Sequence, residues 1–127
     1  MAQPDRLAFN HAMIYTRRMA ASLHFYRDIL GFELIEQLGD GYSRLRSPGS
    51  DTTIALHSAG DGVHAGRGGI RQYFEVADLG TTCSLLEKKG ALLKQMPRLM
   101  EWGWRHACLA DPDGNDISIY AAGQLRL

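Results

Sequence analysis

The sequence lacks several features that would assign a protein to a class at once. It has two cysteines, Cys83 and Cys108, and a disulfide framework in so small a chain needs more, so we expect reduced thiols. Lysine plus arginine and aspartate plus glutamate number 14 each, so no charge excess favours nucleic acid or an anionic membrane as a partner. There is neither an apolar run of about twenty residues nor a signal peptide at the start. We therefore expect a cytoplasmic protein.

What is present suits a globular protein that binds something small. The chain has 127 residues, of which 45% are hydrophobic, and a chain of this length buries enough apolar surface to fold without cross-links. We expect a single domain over residues 1–127.

Short alternating or apolar runs predict eight strands, and two longer segments carry the spacing of amphipathic helices. The first helix is predicted over 19–30, with Met19, Leu23, Tyr26 and Leu30 on its apolar face and Gly31 as its stop. The second is predicted over 79–89, before Gly90. The strands are predicted at 8–15, 32–37, 42–46, 52–57, 70–76, 92–95, 104–110 and 116–121.

The order of these elements is β-α-β-β-β, and it occurs twice along the chain. A shift of about sixty residues lays His11 over Arg71 and Met19 over Leu79, which indicates an internal repeat. The glycine-rich segment 59–69 divides the halves, as a connector or as a lid. The predicted fold class is α+β, with two tandem βαβββ modules at about 7–58 and 70–122.

Three segments together resemble the vicinal-oxygen-chelate superfamily of glyoxalases, bleomycin resistance proteins and extradiol dioxygenases. The first is 21–32, with Ser22, then Phe25-Tyr26, then Leu30-Gly31-Phe32. The second is the strand 74–79 that opens the second module. The third runs from Trp102-Gly103 to the Asp-Pro-Asp-Gly-Asn turn at 111–115.

The resemblance implies that the strands form a half-open cup, often completed across a homodimer. Alternate strand residues then face inward. By this parity the inner wall holds His11, Met13, Tyr15, Arg71, Tyr73, Glu75, Trp104, His106, Cys108, Asp116, Ser118 and Tyr120.

Glyoxalase-like members hold a divalent metal ion at four positions of this cup, which correspond here to His11, Ala55, Arg71 and Ser118. Of these, His11 alone is a good ligand, because a methyl group, a guanidinium and a neutral hydroxyl are poor or impossible ones. We therefore expect no cofactor. The alternative is a divalent metal ion in a rearranged set such as His11, His57 and Glu75.

Two functions follow from the resemblance. The first is a metal-independent small-molecule binder, similar to the bleomycin resistance proteins. The second is a divergent lyase of the lactoylglutathione lyase type, or a dioxygenase, with His11 as a catalytic residue. Arg71 is either a clamp for a carboxylate or phosphate or half of an ion pair with Glu75 or Asp116. The predicted ligand-binding residues are Tyr15, His57, Arg71, Tyr73, Trp102, Trp104, His106 and Ser118.

Overall fold

The computed structural model describes residues 7–123, which form two four-stranded sheets and two helices. The first module holds α1 (Met19–Leu23), continued by a π-helical segment (His24–Ile29), and the second holds α2 (Leu79–Lys88). The strands are β1 (His11–Thr16), β2 (Glu33–Gln37), β3 (Tyr42–Arg46), β4 (Thr53–Ser58), β5 (Gln72–Glu75), β6 (Leu93–Leu99), β7 (Arg105–Ala110) and β8 (Asp116–Ala121).

Both sheets have the same topology. The order is β1-β4-β3-β2 in the first and β5-β8-β7-β6 in the second. In each, the strand before the helix runs parallel to the last strand of its module, and the remaining pairs are antiparallel. The predicted α+β fold of two βαβββ modules is confirmed, and β1 and β5 are edge strands of their sheets.

The first helix lies where it was predicted, but its backbone departs from a regular α-helix. The predicted apolar face packs on the core, with Tyr26 fully buried and Met19, Leu23 and Leu30 partly buried against it. From His24 onward the backbone winds as a π-helix, whose wider turns rotate the later side chains relative to an α-helix. The buried residues of the segment are Ser22, Phe25, Tyr26 and Ile29.

The second helix matches its prediction closely. The carboxylate of Asp78 accepts a hydrogen bond of 3.0 Å from the backbone N–H of Thr81 and so caps the first turn. Hydrogen bonds from the backbone and hydroxyl of Thr81 lower the pKa of Asp78. Gly90, at φ +106°, ends the helix in the left-handed region.

Strand β6 is longer than the predicted 92–95, because it continues through Pro97 to Leu99. Proline cannot donate a backbone hydrogen bond to a neighbouring strand. It is tolerated here because β6 is an edge strand and its pairing with β7 is irregular between Gln95 and Arg98. At the other end of the chain, β1 begins at His11 rather than at residue 8.

The two modules share one hydrophobic core, to which both helices and both sheets contribute. The rings of Phe32 and Phe74 meet edge to face across the modules, with centroids 5.9 Å apart. The largest fully buried core side chains are Tyr26, Leu45, Leu56, Leu109 and Ile117.

No helix within residues 7–123 is both long enough and apolar enough to cross a bilayer.

A buried polar network also joins the modules. The hydroxyl of Tyr26 donates to Asp111 at 2.8 Å and accepts from the side-chain amide of Gln72 at 2.9 Å. One turn earlier, Ser22 donates to Asp113 at 3.1 Å. Burial, and then the charge of Asp111, raise the pKa of Tyr26, so its hydroxyl remains a donor.

Candidate ligand-binding surface

Five aromatic rings gather on the face of the second sheet that points away from the core. We call this set the aromatic surface. The rings of Trp104 and Tyr120 are stacked, with centroids 4.6 Å apart and an angle of 8° between their planes. The surface consists of Tyr73, Trp102, Trp104, His106 and Tyr120.

The hairpin between β6 and β7 sets the position of the two indoles. Its backbone closes through a 2.7 Å hydrogen bond from the Met100 N–H to the Trp104 carbonyl, and Gly103 takes φ +96° between the tryptophans. Trp104 is thereby held against Tyr120. Trp102, 54% exposed, meets the edge of His106 at a centroid distance of 5.3 Å.

His106 lies among the other four rings. Its side chain is buried, and its Nε2 has no hydrogen-bond partner within residues 7–123. Burial, and then the positive charge of Arg71, lower the pKa of His106. The imidazole is therefore neutral near neutral pH, and its Nε2 is a buried polar atom in largely aromatic surroundings.

Beside the aromatic surface, Arg71 lies over the start of β8. Its guanidinium donates to the Ser118 hydroxyl at 3.3 Å and contacts the Asp116 carboxylate at 3.4 Å. The Sγ of Cys108 is 3.8 Å away. Of the two partners predicted for Arg71, Asp116 is the one that these contacts support, and the half-buried Cys108 takes part in the same cluster.

The first sheet presents a different group of side chains. The Nδ1 of His11 is 2.7 Å from the side-chain oxygen of Asn10, which also accepts from Arg44. At the other end of β1, the ring of His57 packs against Tyr15, with centroids 5.6 Å apart, and its Nδ1 lies 2.8 Å from the Ser58 carbonyl. Tyr15 and His57 thus form a cluster on the first sheet, away from the aromatic surface of the second.

An open groove of about 1250 Å³ lies between the two modules. Its walls come from the edge strand β5, from the turn between β3 and β4 and from α2, and Tyr73 lines it as well as belonging to the aromatic surface. Most of its other lining side chains are apolar, among them Phe9, Leu30, Phe32, Phe74, Val76, Leu86 and Ile119.

A family model described as the glyoxalase/bleomycin resistance protein/dioxygenase superfamily matches residues 8–119. The chain belongs to this superfamily. A comparison with curated protein sequences finds no match.

Solved structures with this fold include members with different described roles. A superfamily member from Sphaerobacter thermophilus DSM 20745 is 26% identical, with a TM-score of 0.74 over 91% of this chain and 98% of that one. TnmS3, an antibiotic binding protein from Streptomyces sp. CB03234, is 23% identical, with a TM-score of 0.77 over 94% and 98%. Lactoylglutathione lyase from Agrobacterium tumefaciens is 17% identical, with a TM-score of 0.72 over 93% and 96%.

The resemblance aligns four positions of this chain with the superfamily's metal ligands, and the strand register relates these positions in pairs. Ala55 pairs with Met13, two residues after His11, and Ser118 pairs with Tyr73, two residues after Arg71. The two halves therefore place equivalent positions at equivalent heights. At the second pair, the Arg71 guanidinium donates to Ser118, and a fixed positive charge does not suit a divalent cation.

The rearranged set of His11, His57 and Glu75 does not converge within one chain. His11 pairs with Thr53 and His57 with Tyr15, so the two histidines are four residues apart along neighbouring strands. That separation is about 13 Å, whereas ligands of one ion lie a few ångströms apart. Within residues 7–123, no three His, Cys, Asp or Glu side chains are grouped as a metal site requires.

The sequence identified most of the aromatic surface by strand parity but missed part of its surroundings. Tyr73, Trp104, His106 and Ser118 lie on one face as predicted, and Trp102 joins them from the hairpin. Tyr120 shows the same parity but was not placed among the ligand-binding residues. Arg67 and Lys94 lie near Asp116, and nothing in the sequence predicted that they belong to the site. Arg67 is in the glycine-rich segment, and Lys94 is on an irregular edge strand.

Proposed function

We propose that this chain binds a planar, largely apolar small molecule on the aromatic surface and that it does so without a metal ion. The observation that carries the proposal is the stacked pair of Trp104 and Tyr120. Tyr73 and Trp102 extend this pair with rings that are 55% and 54% exposed. Large aromatic side chains that are exposed side by side commonly mark a site where a ligand or a partner binds.

The physical basis is stacking and apolar burial. An offset-stacked pair of rings contributes about 0.5–1.5 kcal/mol beyond the apolar area that it buries. A ligand over this surface contacts several rings at once. TnmS3, described as an antibiotic binding protein, shares this fold, which supports a binding role for a chain of this architecture.

The proposal that metal is not required rests on donor chemistry. Three of the four aligned positions hold Ala55, Arg71 and Ser118, which do not supply ligands for a divalent ion. The fourth holds His11, and one imidazole by itself does not make a site for a divalent ion. This donor set supports binding rather than the alternative of a lactoylglutathione lyase-like or dioxygenase-like enzyme.

Intrinsic fluorescence tests the binding proposal directly, because both tryptophans of the chain belong to the aromatic surface. We expect quenching by some members of a panel of polycyclic aromatics and glycopeptides. The same ligands should stabilise the fold, by about 2.7 kcal/mol at a concentration of 100 times Kd. Tyr120→Ala should abolish both effects, whereas Tyr42→Ala, which alters the first sheet, should not. Neither quenching nor stabilisation by any compound would contradict the proposal.

Metal titration tests the other part. Nickel, zinc, manganese and iron(II) are each added to the purified protein, and uptake is measured by calorimetry. We expect no tight stoichiometric binding. Tight uptake that His11→Ala removes would overturn the metal-independent proposal and favour the enzyme.

We also propose that the chain acts as a homodimer. The edge strands β1 and β5 border the open groove, and Phe9 and Ile70, which precede them, are 83% and 78% exposed. A second copy covering these edges would bury both side chains and extend the cup. Sedimentation equilibrium should give twice the chain mass of 14.1 kDa, and Phe9→Asp with Ile70→Asp should give the monomer.

A further inference from the structure

A second pocket, of about 440 Å³, adjoins the aromatic surface, and most of its charged side chains are cationic. We propose that this pocket binds an oxyanion, either a carboxylate or a phosphate, that is part of the planar ligand of the aromatic surface. The inference rests on the proposed function and adds the chemical class of the ligand. The pocket is lined by Arg67, Gly69, Ile70, Arg71, Lys94 and Asp116.

The charges in the pocket do not balance. Asp116 is the single carboxylate of the lining. One of its oxygens forms an ion pair with the Lys94 ammonium at 2.7 Å, and the other forms one with the Arg71 guanidinium at 3.4 Å. Hydrogen bonding to Lys94, and then the charges of Lys94, Arg71 and Arg67, lower the pKa of Asp116. Three cations line the pocket against this one carboxylate, so an anion entering it meets a positive potential.

The cations are also available to a ligand. The side chains of Arg71 and Lys94 are 43% and 50% exposed despite their contacts with Asp116. A guanidinium has five donors in a planar fork, and Arg71 directs Nη1 to Ser118 and Nη2 to Asp116. Donors therefore remain for the oxygens of a carboxylate or phosphate, which match this fork.

The backbone at Arg67 gives an independent reason to regard the pocket as a built site. Arg67 has φ +47°, and among residues 7–123 no other non-glycine residue has a positive φ. It follows Gly66, which is packed so tightly on the β7–β8 turn that an added Cβ would lie 2.2 Å from the Asp113 carbonyl oxygen. Strained backbone held in place by its surroundings is typical of functional sites.

The pocket and the aromatic surface are at a distance that one ligand can span. Asp116, Ser118 and Tyr120 alternate along β8 on the same face, and Ser118 accepts from Arg71. Tyr120 is therefore about 7 Å from Ser118 and about 13 Å from Asp116 along the strand. A ring stacked over Tyr120 with an acidic group in the pocket has the size of a two- or three-ring aromatic acid.

Three matched probes test this inference: naphthoate, its neutral analogue naphthamide, and naphthyl phosphate, each followed by tryptophan quenching at low salt. We expect naphthoate or naphthyl phosphate to bind roughly tenfold more tightly than naphthamide, as hydrogen bonds to a charged group allow. The tighter of the two identifies the oxyanion. The preference should decrease as salt is added, because the cations are partly exposed.

Variants locate the preference. Arg67→Gln with Lys94→Gln should reduce the preference for the anion to within about threefold while naphthamide affinity is unchanged, since neutral glutamine loses the charge-assisted contact. The matched control, Lys88→Gln with Lys89→Gln at the end of α2, removes the same charge and should keep the full preference. Thermal melts establish that all variants are folded.

The outcomes separate this inference from the proposed function. Equal binding of all three probes to the unmodified chain would overturn the oxyanion pocket and leave the aromatic surface supported. A preference that survives in the Arg67 and Lys94 double variant would overturn the assignment to this pocket. Absence of quenching by any probe would contradict both.

Discussion

The guanidinium of Arg71 donates a hydrogen bond to the hydroxyl of Ser118 across 3.3 Å. The resemblance to glyoxalase-like members implies that these are two of the positions at which those members hold a metal ion. On that alignment, a guanidinium of the protein itself takes the position of the relatives' metal cation. The local field remains positive, but the group that creates it is a planar donor rather than a Lewis acid.

Removing the competing carboxylate should strengthen anion binding. Asp116→Asn keeps the size of the side chain but releases Lys94 and Arg71 from their ion pairs. We expect naphthoate to bind several-fold more tightly and naphthamide to bind as before, as measured by tryptophan quenching. Thermal stability should change little, because exposed ion pairs stabilise weakly. Weaker naphthoate binding would mean that Asp116 positions the cations rather than competes for them.

Breaking the hydrogen-bond network that joins the modules should destabilise the fold. Tyr26→Phe removes the hydroxyl that donates to Asp111 and accepts from Gln72 in a buried setting. The free energy of unfolding should fall by about 1–3 kcal/mol, since buried polar groups lose a partner. Urea denaturation measures this loss. Tyr15→Phe, at a 37% exposed tyrosine of the first sheet, is the control and should be nearly neutral.

Two glycines of the connecting segment should differ in their tolerance of alanine. Gly62 has φ +78° with open space around it. Gly62→Ala should therefore lower the free energy of unfolding through backbone strain alone, by about 1–2 kcal/mol. Gly66 has φ +83°, and an added Cβ would collide with the Asp113 carbonyl. Gly66→Ala should therefore be more destabilising than Gly62→Ala in urea denaturation. It should also weaken naphthoate binding by displacing Arg67. Equal effects of the two substitutions would show that the segment does not rest on the β7–β8 turn.

His106 should make stability depend on pH. Its folded pKa lies below the ordinary value of 6.5, so the unfolded chain binds a proton more readily. The stability that the neutral ring contributes is present above about pH 6.5 and is lost as pH falls through the lowered folded pKa. Thermal melts of the unmodified chain and of His106→Phe between pH 8 and pH 5 should show the smaller decrease for the variant.

Much of the fold was accessible from the sequence because strand periodicity survives tertiary packing. The alternation that put Tyr73, Ser118 and Tyr120 on one face depends on the pleat alone, and the strand register confirms it. The π-helical segment was missed because a side-chain pattern read at 3.6 residues per turn contains no sign of a wider turn. Strand β6 was predicted too short, since nothing in the sequence shows that it is an edge strand, where Pro97 is tolerated.

The binding surface was predicted only in part for a related reason. Parity assigns a residue to a face but not to a neighbour. Tyr15 and His57 share the expected orientation and yet cluster on the first sheet. The cationic pocket depends on the path of the connecting segment, which is fixed by the approach of Gly66 to Asp113, residues far apart in the chain.

The residues that carry the superfamily resemblance are also the ones that hold the modules together. Tyr26 of the Phe-Tyr pair meets Asp111, and Ser22 meets Asp113, both in the Asp-Pro-Asp-Gly-Asn turn. These contacts and the Phe32–Phe74 pair join the modules independently of the segment that connects them. We therefore expect that a nick near Gly62 would leave two fragments that stay associated.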